Sequence, residues 1–408
     1  MKHCISIYKN IDIICITETH FNKDILDSEI SIDGYRFFRK DRNFDIHDLG
    51  EDNVEDVISG GGGSIIYFKD TLNVTLVQSF YSKAPDSLAI KVDSSIGKFC
   101  IACVYRSPNL NDLLNSLLLS CIKDICKESN TFETVLIGDL NLPDISWETG
   151  SLTTSNSSTI NKSLLQQLEF MDAFNQLGLS WGLVNEITRC RMVQGVLQKS
   201  LLDQVLYTND ALVSSVKLLS NLGKSDHLSL KIELGISLNK PTSHSETVVK
   251  KPSWSKVLPS NILKYSVENV NWDYSSDNIS SEMMWNELSE KLDGFSGIVP
   301  VSRFDSRNRP LNLPWSNSAL KRMRKNKDAA WNCFIESPTK ENYSYAFLKD
   351  KLYSDEEFRL KSNYEKKLTN NLKTNCKGFY SYLRNKRQLK TGVPTLERDD
   401  GSRTSRPA

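Results

Sequence analysis

The chain has 408 residues, 39% hydrophobic and 25% charged, with a formal net charge of +1. That length allows two or three domains, and that composition supplies a packed core, which excludes a disordered or fibrous chain. No apolar run reaches membrane-spanning length, so no membrane partner is expected. Nine cysteines without a disulfide or metal spacing, and without a leader, point to a reducing compartment: nucleus or cytoplasm, not secretion. The small net charge hides an asymmetry. Residues 319–390 hold 18 Lys/Arg against 8 Asp/Glu, and the remainder 33 against 42. An acidic front and a basic back fit a cation-binding part followed by a polyanion-binding part, although a solvated helix face explains a charge run equally well.

In chain order, residues 11–16 form a buried strand, with Ile13, Ile14 and Ile16 apolar and Asp12 at its edge. Residues 43–59 are acidic and aperiodic, a surface loop. The Gly60–Gly63 run lacks the Lys-Ser/Thr of a phosphate loop and precedes a strand, so it reads as a turn. Residues 64–68, 71–78, 89–92, 99–104, 134–137 and 202–207 are strands rich in Val, Ile, Phe and Tyr. Residues 110–126 and 163–177 have helical apolar spacing. Cys100 and Cys103 match C-x-x-C but sit in an apolar strand without a second pair, and read as core thiols. Strands with helices between them suggest a layered α/β fold.

Residues 234–256 are polar with Pro241 and Pro252, a linker. Beyond them the pattern is helical: Tyr364, Leu368 and Leu372 share one face. Trp254, Trp272, Trp285, Trp315 and Trp331 read as packing anchors rather than base-stacking platforms.

Polar residues gather at strand ends. Glu18 follows the first strand, and Tyr105 and Arg106 follow another. Asp139 and Asn141 close Leu136-Ile-Gly-Asp-Leu-Asn141. Asp203 opens a strand, and Asp226-His227 stands in Lys224-Ser-Asp-His227. Singly each is as readily a cap or turn former. Arg106 pairs with a neighbouring acid as readily as it touches a ligand. His20 and His47 have no partner in the pattern and read as solvent-exposed.

In their order these fragments resemble the endonuclease/exonuclease/phosphatase family over residues 1–236, and most closely its non-long-terminal-repeat retrotransposon endonucleases. "CITETHFN", "GGGGSIIYFKD", "CVYRSPN", "IGDLNLPDISW", "ITR" and "SLLDQVLYTN" carry the likeness. "LPW" at 313–315, "FYSYLRNKR" at 379–387 and "VPTLERDDG" at 393–401 resemble the segment that precedes a reverse transcriptase. The resemblance implies a two-layered α/β sandwich of mostly antiparallel sheets flanked by helices. The expected order is this domain over 1–236, a linker over 237–258, a mostly α-helical basic segment over 259–395, and a disordered tail over 396–408.

It implies hydrolysis of a phosphodiester with Mg²⁺ or Mn²⁺ as cofactor and DNA as substrate, the nick serving target-primed reverse transcription. Glu18 is the principal metal ligand, and Asp226 lies at the metal or a second cation position. Asp139 orients or deprotonates the attacking water. Asn141, His227 and Tyr105 donate to the phosphate, and Asp203 orients and charges His227. Thr188 and Ser200 support the site and the DNA backbone. Lys321, Arg322, Arg324, Lys325 and Lys327, packed too closely to share one helix face, meet phosphates of DNA or of the element's RNA. Family members open with a strand carrying a metal-binding Asn. Only seventeen residues precede Glu18 here, so that strand is expected to be missing, as is the polymerase. The alternatives are a catalytically dead nucleic-acid-binding remnant and a cellular phosphodiesterase of the same family.

Overall fold

The structure is a computed structural model. It describes residues 11–32, 34–42, 61–94, 97–108, 110–127, 132–153, 162–237, 313–374 and 376–387. Between 238 and 312 it describes only 250–252, 264, part of 282–290 and 301–303. The loop at 43–59, most of the linker, Trp254, Trp272 and the tail at 396–408 lie outside the described residues.

The front of the chain runs β1 (Ile13–Thr17), α1 (Asp27–Ile30), β2 (Tyr35–Lys40), β3 (Ser64–Lys69), β4 (Val74–Leu76), α2 (Gln78–Lys83), β5 (Leu88–Ser94) and β6 (Gly97–Tyr105). It continues with α3 (Asp112–Lys127), β7 (Glu133–Asp139), β8 (Ile145–Ser146), β9 (Ser151–Leu152), α4 (Lys162–Gln176) and β10 (Ser180–Trp181). Then come β11 (Arg189–Val193), β12 (Val196–Ser200), β13 (Asp203–Tyr207), β14 (Val213–Leu219) and β15 (Ser229–Leu234). Past these lie β16 (Lys250–Pro252), β17 (Val301–Arg303), α5 (Ser318–Glu336), α6 (Lys340–Asn370) and α7 (Cys376–Arg387). The chain divides into two compact units, residues 1–241 with 311–408, and residues 242–310. In the second, β16 pairs antiparallel with β17, and Trp285 is exposed rather than an anchor.

In the first unit a three-stranded sheet has the order β1-β3-β2, and a six-stranded sheet the order β10-β13-β7-β6-β5-β4. All pairings are antiparallel except β6 with β7, which α3 connects. The period of two along β6 and β7 builds the layers. Phe99, Ile101, Cys103 and Ile137 face Ile66, Phe68, Ile13 and Cys15 of the smaller sheet. Cys100, Ala102, Val104 and Leu136 face α3 and α4 through Leu118, Ile122, Phe170 and Phe174. Ile14, Ile16, Ile65 and Tyr67 face outward onto Ile30 and Ile32. The result is the expected two-sheet α/β sandwich, with Cys100 and Cys103 as core thiols. Each fully buried Leu, Ile or Phe of α3 and α4 contributes about 1.5–3 kcal/mol. Asn111 starts α3 by accepting the Leu114 amide at 2.9 Å, satisfying one of its free donors.

One reading changes, and several elements had no sequence signal. Residues 71–78 form only the three-residue β4, and helix α2 starts at Gln78. Strand β2 lacks apolar alternation because its basic residues turn inward to cap carbonyls. Arg36 donates to Leu72 O at 2.7 Å, Arg39 to Ile25 O at 2.7 Å, and Lys40 to Tyr81 O and Ala84 O. The hairpin β11–β12 turns on Gln194 and Gly195, both at positive φ, which Gly supplies without strain. Hairpin β14–β15 packs Val216, Ile232 and Leu234 on Val135 and Val205.

The C-terminal helices belong to the same unit. Asn317 caps α5 at the Leu320 amide (2.8 Å), and Thr339 caps α6 at Asn342 (3.2 Å). Trp331, Phe334 and Tyr343 pack edge to face with one another and against Cys190 and Leu228. Trp315 packs on Tyr364 and Tyr382, so Trp315 and Trp331 are anchors as expected. No helix among the described residues is long and apolar enough to cross a membrane.

Candidate active site

Strand register assembles the first half of the site. Tyr105 stands beside Asp139 across the β6–β7 pair, and Asp203 beside Asp139 across β7–β13. Three site residues thus lie abreast on three adjacent strands. The close approach of β6 and β7 needs Gly138. Its φ is +149°, and a Cβ there would lie 1.9 Å from Val104 O. Past Asp139 the chain turns through Asn141 in the left-handed region, φ +47°.

Asn141 holds Asp139. Its backbone amide donates to Asp139 Oδ1 and its Nδ2 to Asp139 Oδ2, each at 3.0 Å. The other Nδ2 hydrogen goes to Arg106 O at 2.8 Å. Both hydrogens expected to meet a phosphate are therefore spent inside the protein, and Asn141 orients the carboxylate instead. Arg106 pairs with no acid among the described residues. Only 1% exposed, it donates to Asn115 Oδ1 (2.8 Å), Asn141 O (3.0 Å) and Gln166 Oε1 (3.1 Å). Burial pulls its pKa down to about 10.

Asp139 is itself 2% exposed. Burial first, then the charge of Asp203 and more weakly of Glu18, push its carboxyl up to about 7, against the pull of His227 and of the Asn141 amide. His227 Nδ1 lies 2.8 Å from Asp203 Oδ2. Burial disfavours the imidazolium, but Asp203, through its hydrogen bond and charge, outweighs it and raises His227 to about 9. The ring is therefore cationic at neutral pH. Thr188, fully buried, fixes Asp203: its Oγ1 accepts the amides of Leu202 and Asp203 at 3.0 Å. Ser200 pairs with Arg189 and gives its carbonyl to the Thr188 amide at 3.0 Å.

Glu18, exposed, follows β1 at φ +52°. The next two amides bind the glycine run: Thr19 N to Gly63 O at 3.2 Å and His20 N to Gly62 O at 2.9 Å. The described glycines run beside Thr19 and His20 into β3 rather than closing a turn, and so position Glu18. Tyr105 hydrogen-bonds Glu18. Burial, then Glu18 and Asp139, raise its phenol above the ordinary value.

Sequence reasoning missed the clamp behind this pair. Arg42 donates to Asp86 Oδ2 through Nε (2.8 Å) and Nη2 (2.5 Å) and lies 6.0 Å over the Tyr105 ring. Asp86, 2% exposed, accepts the Gly63 amide at 3.3 Å. Neither residue sits in a pattern of spacing or composition. The position expected for Asp226 is corrected: Arg189 Nε holds Asp226 Oδ2 at 2.8 Å, and this pairing lowers its pKa against the opposing cost of burial. Among the described residues no group of three or more His, Cys, Asp or Glu is arranged around a metal position. Mg²⁺ needs only one or two carboxylates and keeps its waters. Glu18, an exposed carboxylate at the end of β1, fits that requirement as one such oxygen donor.

Of the basic cluster on α5, Lys321, Arg322 and Lys325 are exposed and Arg324 half-buried, 3.7 Å from Asp328. Lys327 is corrected. It points inward, 7% exposed, to pair with Asp350 at 3.1 Å, and is closed to a phosphate. A cavity of about 340 Å³ beside the site is lined by Arg189, Arg191, Gln198, Lys199 and Ser200.

Residues 99–231 match the family described as endonuclease-reverse transcriptase. That is about a third of the chain, and it includes Tyr105, Arg106, Asp139, Asn141, Thr188, Ser200, Asp203, Asp226 and His227 but not Glu18, the Arg42 clamp or the basic cluster on α5. No curated protein matches the chain. Among solved structures, the endonuclease domain of TRAS1, a telomere-specific non-LTR retrotransposon, is similar at 16% identity and TM-score 0.36, covering 55% of this chain and 85% of that one. The catalytic domain of Xenopus laevis APE2 is similar at 13% identity and TM-score 0.38, covering 57% and 86%. A 3′ phosphatase, NExo, from Neisseria bound to product DNA hairpin is similar at 14% identity and TM-score 0.38, covering 57% and 91%.

Proposed function

We propose, from the premise that residues 99–231 fall in the endonuclease–reverse transcriptase family, that the chain is a metal-dependent DNA-nicking endonuclease of a retrotransposon, making the 3′ hydroxyl used for target-primed reverse transcription. The observation that carries this is Asp139 buried between Tyr105 and Asp203, with the His227 ring hydrogen-bonded to Asp203.

The groups divide the work of hydrolysis. A carboxylate with a pKa near 7 is matched to removing a proton from water at neutral pH. Asp139 takes that proton as the water oxygen bonds to phosphorus and the bond to the 3′ oxygen breaks. His227 donates to the phosphate oxygens as charge builds there, and Tyr105, its one hydroxyl hydrogen turned to Glu18, holds that carboxylate instead. Asp203 keeps the ring oriented and charged, and Asn141 keeps Asp139 aimed. Glu18 would hold Mg²⁺ or Mn²⁺, which would neutralise phosphate charge and stabilise the departing oxygen. Lys321, Arg322 and Lys325 supply sequence-independent contacts to phosphates of DNA or element RNA.

The test is nicking of supercoiled plasmid by the full chain. Open circles with a 3′ end that a polymerase extends, formed with Mg²⁺ or Mn²⁺ and not in EDTA, are expected. Undiminished nicking in EDTA sinks the proposal.

A further inference from the structure

The helices α5 and α6 lie against the segment that carries His227. Leu228, the next residue, is 4% exposed, and Cys190 of β11 is 1% exposed. Both are buried against Trp331, Phe334 and Tyr343, with Ile187, Leu197 and Leu218 around them. Tyr343 Oη donates to Cys190 O at 3.4 Å, and Lys199 Nζ to Pro338 O at 3.2 Å.

The Asp226–Leu228 segment is not part of a long ladder. An isolated bridge joins Arg189 to His227. Around it the Cys190 amide donates to Asp226 O at 2.9 Å, and the Leu228 amide to Thr188 O at 2.7 Å. Arg189 holds the Asp226 side chain. The helices pack Trp331, Phe334 and Tyr343 against the Cys190 and Leu228 side chains of this short ladder. We propose that the α5–α6 hairpin is a working part of the site. It pins the segment on which His227 sits, and Trp331, Phe334 and Tyr343 are positioning residues for that histidine. The functional unit then extends beyond residue 236 to include α5 and α6. The kinetic side of this rests on the nuclease reading; the packing side does not.

Amide hydrogen exchange on the full chain reads the packing without any reference to catalysis. Phe334→Ala should raise exchange at the Cys190 and Leu228 amides by about 100-fold, while Ile101 and Val135 in the six-stranded sheet stay within about twofold. Nicking by the same variant should lose about tenfold in kcat with KM little changed, because His227 is misplaced while the DNA-facing charges remain. Should Phe334→Ala open the whole domain, Tyr343→Phe decides. It keeps the ring and removes only the bond to Cys190, and a several-fold rise confined to Cys190 and Leu228 supports the proposal. Unchanged exchange at those two amides in either folded variant overturns it. If the wild-type chain does not nick at all, the nuclease reading fails, and the exchange result still decides for or against the brace.

Discussion

Asp139 and His227 belong to one site yet are held by unlike means. Asp139 ends a strand buried in a six-stranded sheet, with a partner strand on each side and Gly138 fixing the approach to β6. His227 stands on an isolated bridge, kept in place by Arg189, Asp203 and a residue buried under helices from far along the chain. A ladder distributes its hold over many backbone bonds. A bridge concentrates it in a few side chains, so single changes near His227 act locally and changes near Asp139 act on the fold.

Gly138→Ala is the sharpest break on the ladder side. The new Cβ meets Val104 O at 1.9 Å, in a backbone region foreign to L side chains. Strain and overpacking together cost on the order of 3–5 kcal/mol. The six-stranded sheet should lose its cooperative thermal transition or show it at much lower temperature. A variant melting within a degree or two of wild type would show that β6 and β7 can part cheaply.

The same contrast decides what the sequence disclosed. The ladder half was legible: β6 and β7 alternate with a period of two, and Gly138, Asp139 and Asn141 stand consecutively enough to be read as a group. Register then brought Asp203 alongside without further information. The bridge half was only partly legible. Asp226 and His227 stood out, but the partner of Asp226 is Arg189, in a hairpin whose Gln194-Gly195 turn gives a weak signal. The burial of Leu228 by Trp331, some hundred residues away, follows no local pattern. Nor does the Arg42–Asp86 clamp, whose two halves are joined only by tertiary contact. Inward-facing cations such as Arg106, Lys40 and Lys327 also defeated the assumption that charge marks surface.

Asp139→Ala and His227→Ala should each reduce nicking by about 10²–10³ if each acts on the developing charge. Thermal unfolding adds the comparison between the halves. Removing Asp139 relieves a crowded carboxylate, so the fold should hold or gain stability while activity falls. His227→Ala removes a cation favoured by Asp203, so activity and stability should fall together. Equal stability changes in the two variants would erase the distinction.

The pH profile separates the two groups by sign. Asp139 must lose its proton, at about 7, and His227 must keep its own, up to about 9. The profile of kcat/KM is therefore a bell with limbs near those values, moved lower on the acid side by bound cation. Each limb changes rate about tenfold per pH unit outside the plateau. The raised His227 pKa also contributes stability that is full below its ordinary 6.5 and lost as pH rises toward about 9. His227→Gln should abolish both the alkaline limb and that loss. An alkaline limb surviving in His227→Gln would assign it to another group.

The smallest effect expected is on the outer face of α5, and it sharpens the comparison by testing charge that the site does not need. Lys321, Arg322 and Lys325 face solvent, whereas Lys327 on the same helix pairs with Asp350 inside. Each phosphate neutralised contributes about −0.9 to the slope of log K against log salt on duplex DNA. Changing the three exposed residues to Gln should flatten that slope by up to about three and weaken binding alike on every sequence. Lys327→Gln should leave the slope alone and destabilise the hairpin instead, because it strands a buried carboxylate. Binding titrations of the full chain at several salt concentrations, beside thermal melts, read both. A slope that does not move with the three exposed residues makes α5 a spacer and brace with no hold on the nucleic acid. A slope that moves with Lys327 means that its pair with Asp350 opens when the polyanion binds.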